Sequence, residues 1–197
     1  MNTNLQPDRA LGQSLTRGLT FRSVVVQVEK RFGAEALASV YALMPREAGD
    51  ALRYGTVVPT GWYPVAWLRE LLAAVRRHAG GGRDLMRALG REGRVDDFKR
   101  GVFRLVAFLS SPETLIAQSV AYFCRYDNGG ELRVLESRAR MARVKFSSCH
   151  GWDENVWEYT IGGVTGLLEA SGASEVRVRV VEGGGDEPFL VVEARWV

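Results

Sequence analysis

The feature that most constrains this chain is one change of hydrophobic period. Up to residue 126 the apolar residues recur every three or four positions. Beyond the turn signal Asp127-Asn128-Gly129-Gly130 they alternate. The first pattern gives a helix one buried side, and the second gives a strand one buried face. A helical pattern returns once within the second part. The chain therefore reads as an N-terminal helical half followed by a β-β-α-β-β unit, an α+β fold with an antiparallel sheet.

In the helical half, Phe21, Val24, Val25, Val28 and Phe32 form one stripe that ends at Gly33. Leu37, Val40, Tyr41 and Met44 begin another, stopped by Pro45, because proline disfavours α geometry in the residue before it. Residues Arg46–Gly61 read mostly as loop with a short helical turn, closed by Pro59 and Gly61. Pro64 suits the first turn of a helix carrying Val65, Leu68, Leu72 and Val75, which the run Gly80-Gly81-Gly82 terminates. A short helix Asp84–Leu89, stopped by Gly90, and a longer one over Val95–Leu109 are predicted next. Ser111-Pro112-Glu113 then presents an N-cap, a first-turn proline and an early acid.

In the second half, Leu132 and Val134 fit one strand, and Ala142, Val144 and Phe146 fit the next. The helix over Trp152–Ser171 contains Gly162, Gly163 and Gly166. Each glycine costs up to about 1 kcal/mol relative to alanine, so this face is expected to press closely onto the sheet. Two strands around the turn Gly183-Gly184-Gly185 close the chain.

With 197 residues, 46% hydrophobic, 25% charged and a formal charge of +3, the chain has the make-up of one soluble globular domain. The expected division is a flexible arm over 1–17 and a single domain over 18–197. The start has no apolar h-region and no apolar run approaches a membrane span, so a cytoplasmic protein without a transmembrane segment is expected. Cys124 and Cys149 form no CxxC spacing, and no disulfide framework is implied.

Catalytic signatures are missing. Cys149-His150 places a thiol beside an imidazole, but neighbours on a strand point to opposite faces. These two residues, with Cys124 and His78, are the whole Cys/His supply and lack chelate spacing, so no metal site is expected. The acidic pairs Asp96-Asp97 and Asp153-Glu154 stand where helices start, and dipole complementation accounts for them. A basic strip, Arg138, Arg140, Arg143 and Lys145, is interrupted by no acid and is the one candidate nucleic-acid surface. The near balance of total charge argues against that use. Arginine outnumbers lysine 23 to 3, which fits compositional habit as well as phosphate recognition.

RGLTFRSVVVQVEKRFGAEALASVYALMP resembles the opening of haem–nitric oxide/oxygen-binding (H-NOX) domains. WYPVAWLRELLAAVRRHAGGGRDLMRALGR is similar to their next segment, and GGVTGLLEASG followed by EVRVRVV-EGGGDEPFLVVEARW to their closing α-β-β unit. The superfamily also includes TRAPP vesicle-tethering small subunits and vinyl-reductase-type domains. A myxobacterial family of about this length is similar too, through Phe21–Val28, Trp62–Leu72, Ser111–Glu113, Tyr126–Gly130 and Trp196. It brings no activity to carry over.

The departures are specific. H-NOX domains hold haem iron through a helix histidine, whereas Ser110–Phe123 has none, with Ala117 or Gln118 nearest the expected place. Their Tyr-x-Ser-x-Arg propionate clamp corresponds here to Phe146-Ser147-Ser148-Cys149-His150, which keeps only the serine. Haem is therefore not expected, and no other cofactor is implied. The resemblance implies a non-enzymatic, haem-less ligand-sensing or protein-interaction module that forms a homodimer. A tethering subunit is the first alternative and nucleic-acid binding through Arg138–Lys145 the second. If a pocket for a small apolar ligand exists, Trp62, Tyr63, Trp67, Phe103, Phe108, Phe123 and Phe146 are the candidates for its lining.

Overall fold

A computed structural model describes residues 14–99 and 111–197. Two antiparallel sheets and seven helices make up the described part. The short strand β1 (Leu15–Arg17) pairs with β2 (Trp62–Pro64). Between them lie α1 (Gly18–Phe32), α2 (Ala34–Ala42) and α3 (Arg46–Arg53). Helices α4 (Val65–Ala79), α5 (Arg83–Lys99) and α6 (Pro112–Tyr126) follow. The rest of the chain is β3 (Glu131–Arg138), β4 (Met141–Ser147), α7 (Glu154–Ala170), β5 (Arg177–Gly183) and β6 (Leu190–Arg195).

The larger sheet has the order β3-β4-β6-β5. Helix α7 carries the chain from β4 to the far edge, and β6 returns to fill the gap between β4 and β5, antiparallel to both. The expected alternation is present: Ala142, Val144 and Phe146 are buried, and each pairs with a buried β6 residue, Ala194, Val192 or Leu190. The anticipated Ser111 cap is made, and Asp153, expected only to face the helix dipole, caps α7 as well. The Ser111 hydroxyl accepts the Thr114 N–H at 3.2 Å, and the Asp153 carboxylate accepts the Val156 N–H at 3.0 Å.

Five expectations are corrected. Asp96-Asp97 does not stand where a helix starts but in the last turn of α5, which ends at Lys99. The helical segment after Pro45 is longer than the short turn expected, since Arg46–Arg53 is helix α3. An Arg46–Asp50 ion pair one turn apart supports it, and buried Gly49 lets it approach α2, where a Cβ would lie 2.5 Å from the Tyr41 carbonyl oxygen. Gly90 does not stop a helix, because α5 runs unbroken from Arg83 to Lys99. Glycine serves contact there: a Cβ on Gly90 would stand 1.9 Å from the Tyr159 carbonyl oxygen of α7.

The α7 glycines likewise press onto α5, not onto the sheet. A Cβ on Gly162 or Gly166 would meet the carbonyl oxygen of Arg87 or Arg91, at 2.0 and 2.3 Å. Finally, the end of the expected arm, Leu15–Arg17, is strand β1, and Thr16 is fully buried. A three-residue strand has no period to read, and it exists only because β2 and Asn128 supply its partners. Among the described residues no helix is long and apolar enough to cross a membrane.

Candidate functional site

Helices α4 to α7, the inner face of β3 and β4, and Thr16 and Thr20 line a half-open cavity of about 120 Å³. Its apolar wall is aromatic. Phe123 meets Phe146 edge-on at 5.6 Å and Trp152 at 6.2 Å, with Leu132, Val156 and Val164 beside them. The ring faces and edges interlock, which fixes this wall. Helix α6 presents Ser119, Tyr122, Phe123 and Tyr126 to the cavity, positions three or four apart. Ala117 and Gln118, the positions nearest the expected iron ligand, are exposed instead.

The polar lining gathers around Arg94 of α5. Its guanidinium lies over the Tyr126 ring, 4.7 Å from the centroid, a cation–π contact in a desolvated setting. Tyr159 of α7, Thr16 of β1 and Asp127, just past α6, share the lining. The Thr16 hydroxyl donates to the Tyr126 carbonyl oxygen at 3.1 Å, and Thr16 also bridges to Asp127. Burial pushes the Asp127 carboxyl up to about 7, although Thr16 and Arg94 oppose the shift. Burial also raises Asp97 and Tyr126, and takes the Tyr159 hydroxyl to about 12.

Arg94 is the last of four arginines spaced along one side of α5. Arg83 donates to Glu154 at 2.7 Å, Arg87 pairs with buried Glu158, and Arg91 donates to Glu169 at 2.7 Å. Arg94 has only Asp97, at 4.0 Å, beyond hydrogen-bonding distance. Where its neighbours meet an acid of α7, Arg94 meets Tyr159 and Gly163 at the cavity. This stripe was not read from the sequence. It becomes legible only when Arg83–Lys99 is taken as one helix.

The seven aromatic candidates separate. Phe123 and Phe146 line the cavity. Trp62, Tyr63 and Trp67 cluster elsewhere: Tyr63 stacks on Trp67 at 6.0 Å and meets Phe21 edge-on, while Arg17 covers Trp62 at 3.9 Å. They brace the β1–β2 pair. Phe103 and Phe108 lie outside the described residues.

The basic strip is dispersed by its surroundings. Arg138 pairs with Glu136, and Lys145 lies over Phe189. Arg140 occupies the β3–β4 turn with positive φ. Arg143 donates to Glu193 at 2.7 Å, and Arg179 and Arg195 share the same carboxylate. Three guanidiniums cover Glu193 on the outer sheet face and hold its carboxyl down at about 2. The acids that answer the strip are Glu136, two residues before Arg138 on β3, and Glu193 on the neighbouring β6.

Cys149 is buried, with its thiol pushed up to about 12, while His150 is exposed. At neutral pH this thiol supplies no thiolate. Among the described residues no three His, Cys, Asp or Glu side chains are grouped to hold a metal ion.

Solved H-NOX structures share this architecture. An unliganded Fe(II) H-NOX protein from K. algicida superposes with a TM-score of 0.70 at 15% identity, covering 92% of this chain and 96% of the other. A point mutant of that same protein gives 0.71 at 16% identity with the same coverage. An oxygen-binding H-NOX domain related to soluble guanylate cyclases, as its oxygen complex, gives 0.65 at 14%, covering 91% and 94%. At such identities the likeness establishes the fold. No curated protein sequence matches the chain. Residues 9–193 match the family model described as Protein of unknown function (DUF2378), and the chain belongs to that family.

Proposed function

We propose that this DUF2378 chain is a non-enzymatic ligand-sensing domain on the H-NOX fold, holding a small organic molecule in its cavity in place of haem. The carrying observation is an aromatic-walled cavity with one cation, Arg94, that no carboxylate of the described residues reaches within bonding distance. Pockets of this kind, mostly apolar with a few convergent polar groups, are the usual form of small-molecule sites.

Haem does not fit the donor set. His78 and His150, the only histidines, are exposed, and the lining contains no histidine, cysteine or methionine. Tyrosinate is a further haem ligand. Burial, however, holds the Tyr126 and Tyr159 hydroxyls in the protonated form. The volume of about 120 Å³ is also below the roughly 300–1,000 Å³ that drug-sized ligands occupy.

A protein-interaction role draws support from a separate feature. The edge strand β5 leaves Val180 and Val181 exposed, and a bare edge is a ready template for pairing with another chain.

Visible absorbance and native mass spectrometry of the protein purified from its own host test the reading. The expected result is no haem band and a small-molecule adduct that is released on denaturation. A haem band that persists through gel filtration would overturn the haem-free reading. A protein free of adduct and unresponsive in melting temperature to small aromatic molecules would overturn ligand sensing. The same native mass reports whether the chain is a homodimer.

A further inference from the structure

The polar side of the cavity has more donors than acceptors. A guanidinium carries five N–H groups in a planar fork, and Arg94 spends none on a carboxylate at bonding distance. Two further lining donors have no partner among the described residues: the Trp152 indole N–H and the Ser119 hydroxyl. Trp152 is only 6% exposed, so water does not readily satisfy it. Buried donors left unpaired cost free energy, and an acceptor-rich guest would remove that cost.

The charges that face Arg94 are Asp97 on its own helix and Asp127 beyond α6, with the Tyr126 and Tyr159 hydroxyls protonated. Asp96 is engaged by Gln27 and Lys30 on the outside of α5, and Arg22 of α1 is exposed. When Asp127 carries a proton, Arg94 and Asp97 balance and the cavity is neutral. An incoming anion is then unopposed by a second acid, and the Asp127 O–H becomes one more donor.

We infer that the ligand is a small monocarboxylate, its carboxylate on Arg94 beside Asp127 and its hydrocarbon part against Phe123 and Phe146. Arginine grips a carboxylate through two parallel hydrogen bonds, and the aromatic wall takes the apolar remainder. The cavity of about 120 Å³ limits the size. An apolar cavity of about 150 Å³ holds benzene, so this smaller one takes a guest of roughly 4–6 heavy atoms. This inference rests on the ligand-sensing reading and adds a chemical class to it.

The test compares butyrate, its neutral isostere butyramide, and pentane as a purely apolar probe. Each is titrated into the full chain by calorimetry at pH 6, 7 and 8. Butyrate is expected to bind at least tenfold more tightly than butyramide at pH 6. Its affinity should fall toward tenfold per pH unit above about pH 7, because binding keeps a proton on Asp127. Asp127→Asn should flatten that dependence. Arg94→Gln should weaken butyrate at least tenfold and leave pentane unchanged.

The butyrate-to-butyramide ratio on the unaltered chain decides the matter even if a variant fails to fold. Equal binding of those two, or binding of pentane alone, would overturn the carboxylate assignment and leave ligand sensing standing. Folded protein that binds none of the three would overturn both.

Discussion

The two halves of α5 carry the same residue type on the same side and use it differently. Arg83, Arg87 and Arg91 each close on a glutamate of α7, over a seam that Gly90, Gly162 and Gly166 draw tight. One turn later Arg94 has its nearest acid at 4.0 Å and a cavity in front of it. The first three arginines hold two helices together. The fourth stands where helix contact gives way to space, and the same charge there becomes available to a guest. Position against a packed partner, more than residue identity, separates structural from functional arginine on this helix.

Enlarging the locked half should do the most damage. Gly162→Ala forces a methyl against the Arg87 carbonyl oxygen, 2.0 Å from its built position. A loss of about 3 kcal/mol is expected, near the top of the overpacking range. Calorimetric unfolding should show it as a fall in melting temperature of about 6–12 °C. A near-normal melting temperature would mean that the seam is loose and the contrast between the halves is false.

Glu158→Gln should follow. It leaves the Arg87 guanidinium beside a neutral acceptor in a place where Glu158 is only 6% exposed. A cost of about 2 kcal/mol is expected from denaturant unfolding.

Asp127 sharpens the open half, with opposite sign. Its folded-state value of about 7 lies above its ordinary 3.8, so the folded protein holds this proton more firmly than the unfolded chain. The associated stability is present below about pH 4 and is lost as pH rises through 7. Asp127→Asn should therefore gain on the unaltered chain across that window, by about 1 kcal/mol already at pH 4.5 and by a few kcal/mol above pH 7. Glu154 and Glu193, both lowered, act oppositely below about pH 4.5, which the difference between the two proteins removes.

Arg94→Gln should have the smallest effect on stability, about 1 kcal/mol at pH 7, since it loses the contact with Tyr126 and the longer-range pairing with Asp97 but no hydrogen-bonded carboxylate. A loss as large as that of Glu158→Gln would place Arg94 with the structural arginines.

What the sequence made legible was local. The cap at Ser111, the acid at Asp153 and the alternation through Ala142, Val144 and Phe146 all lie within a few residues of what they organise. Gly80 and Gly90 show the limit. Both look like punctuation, yet Gly80 ends α4 with φ 62° while Gly90 sits inside α5. The difference lies in what approaches Gly90, the Tyr159 backbone from about seventy residues away, and no local pattern records that. The cavity was half visible for the same reason. Phe123 and Phe146 stand on apolar faces that periodicity exposes. Arg94, Asp127 and Thr16 are ordinary polar residues until β1, α5 and α6 bring them together.

The walls of the cavity are drawn from Thr16 to Leu167 and from nearly every element in between. The β3–β4 hairpin closes a short loop and can form early, whereas joining Thr16 to Asp127 spans more than a hundred residues. An incompletely folded chain can thus have helices, a hairpin and much of its apolar burial and still have no binding site. Occupancy of the cavity is a readout of finished folding, and a clip anywhere between Thr16 and Leu167 that frees one wall should abolish it while leaving most secondary structure in place.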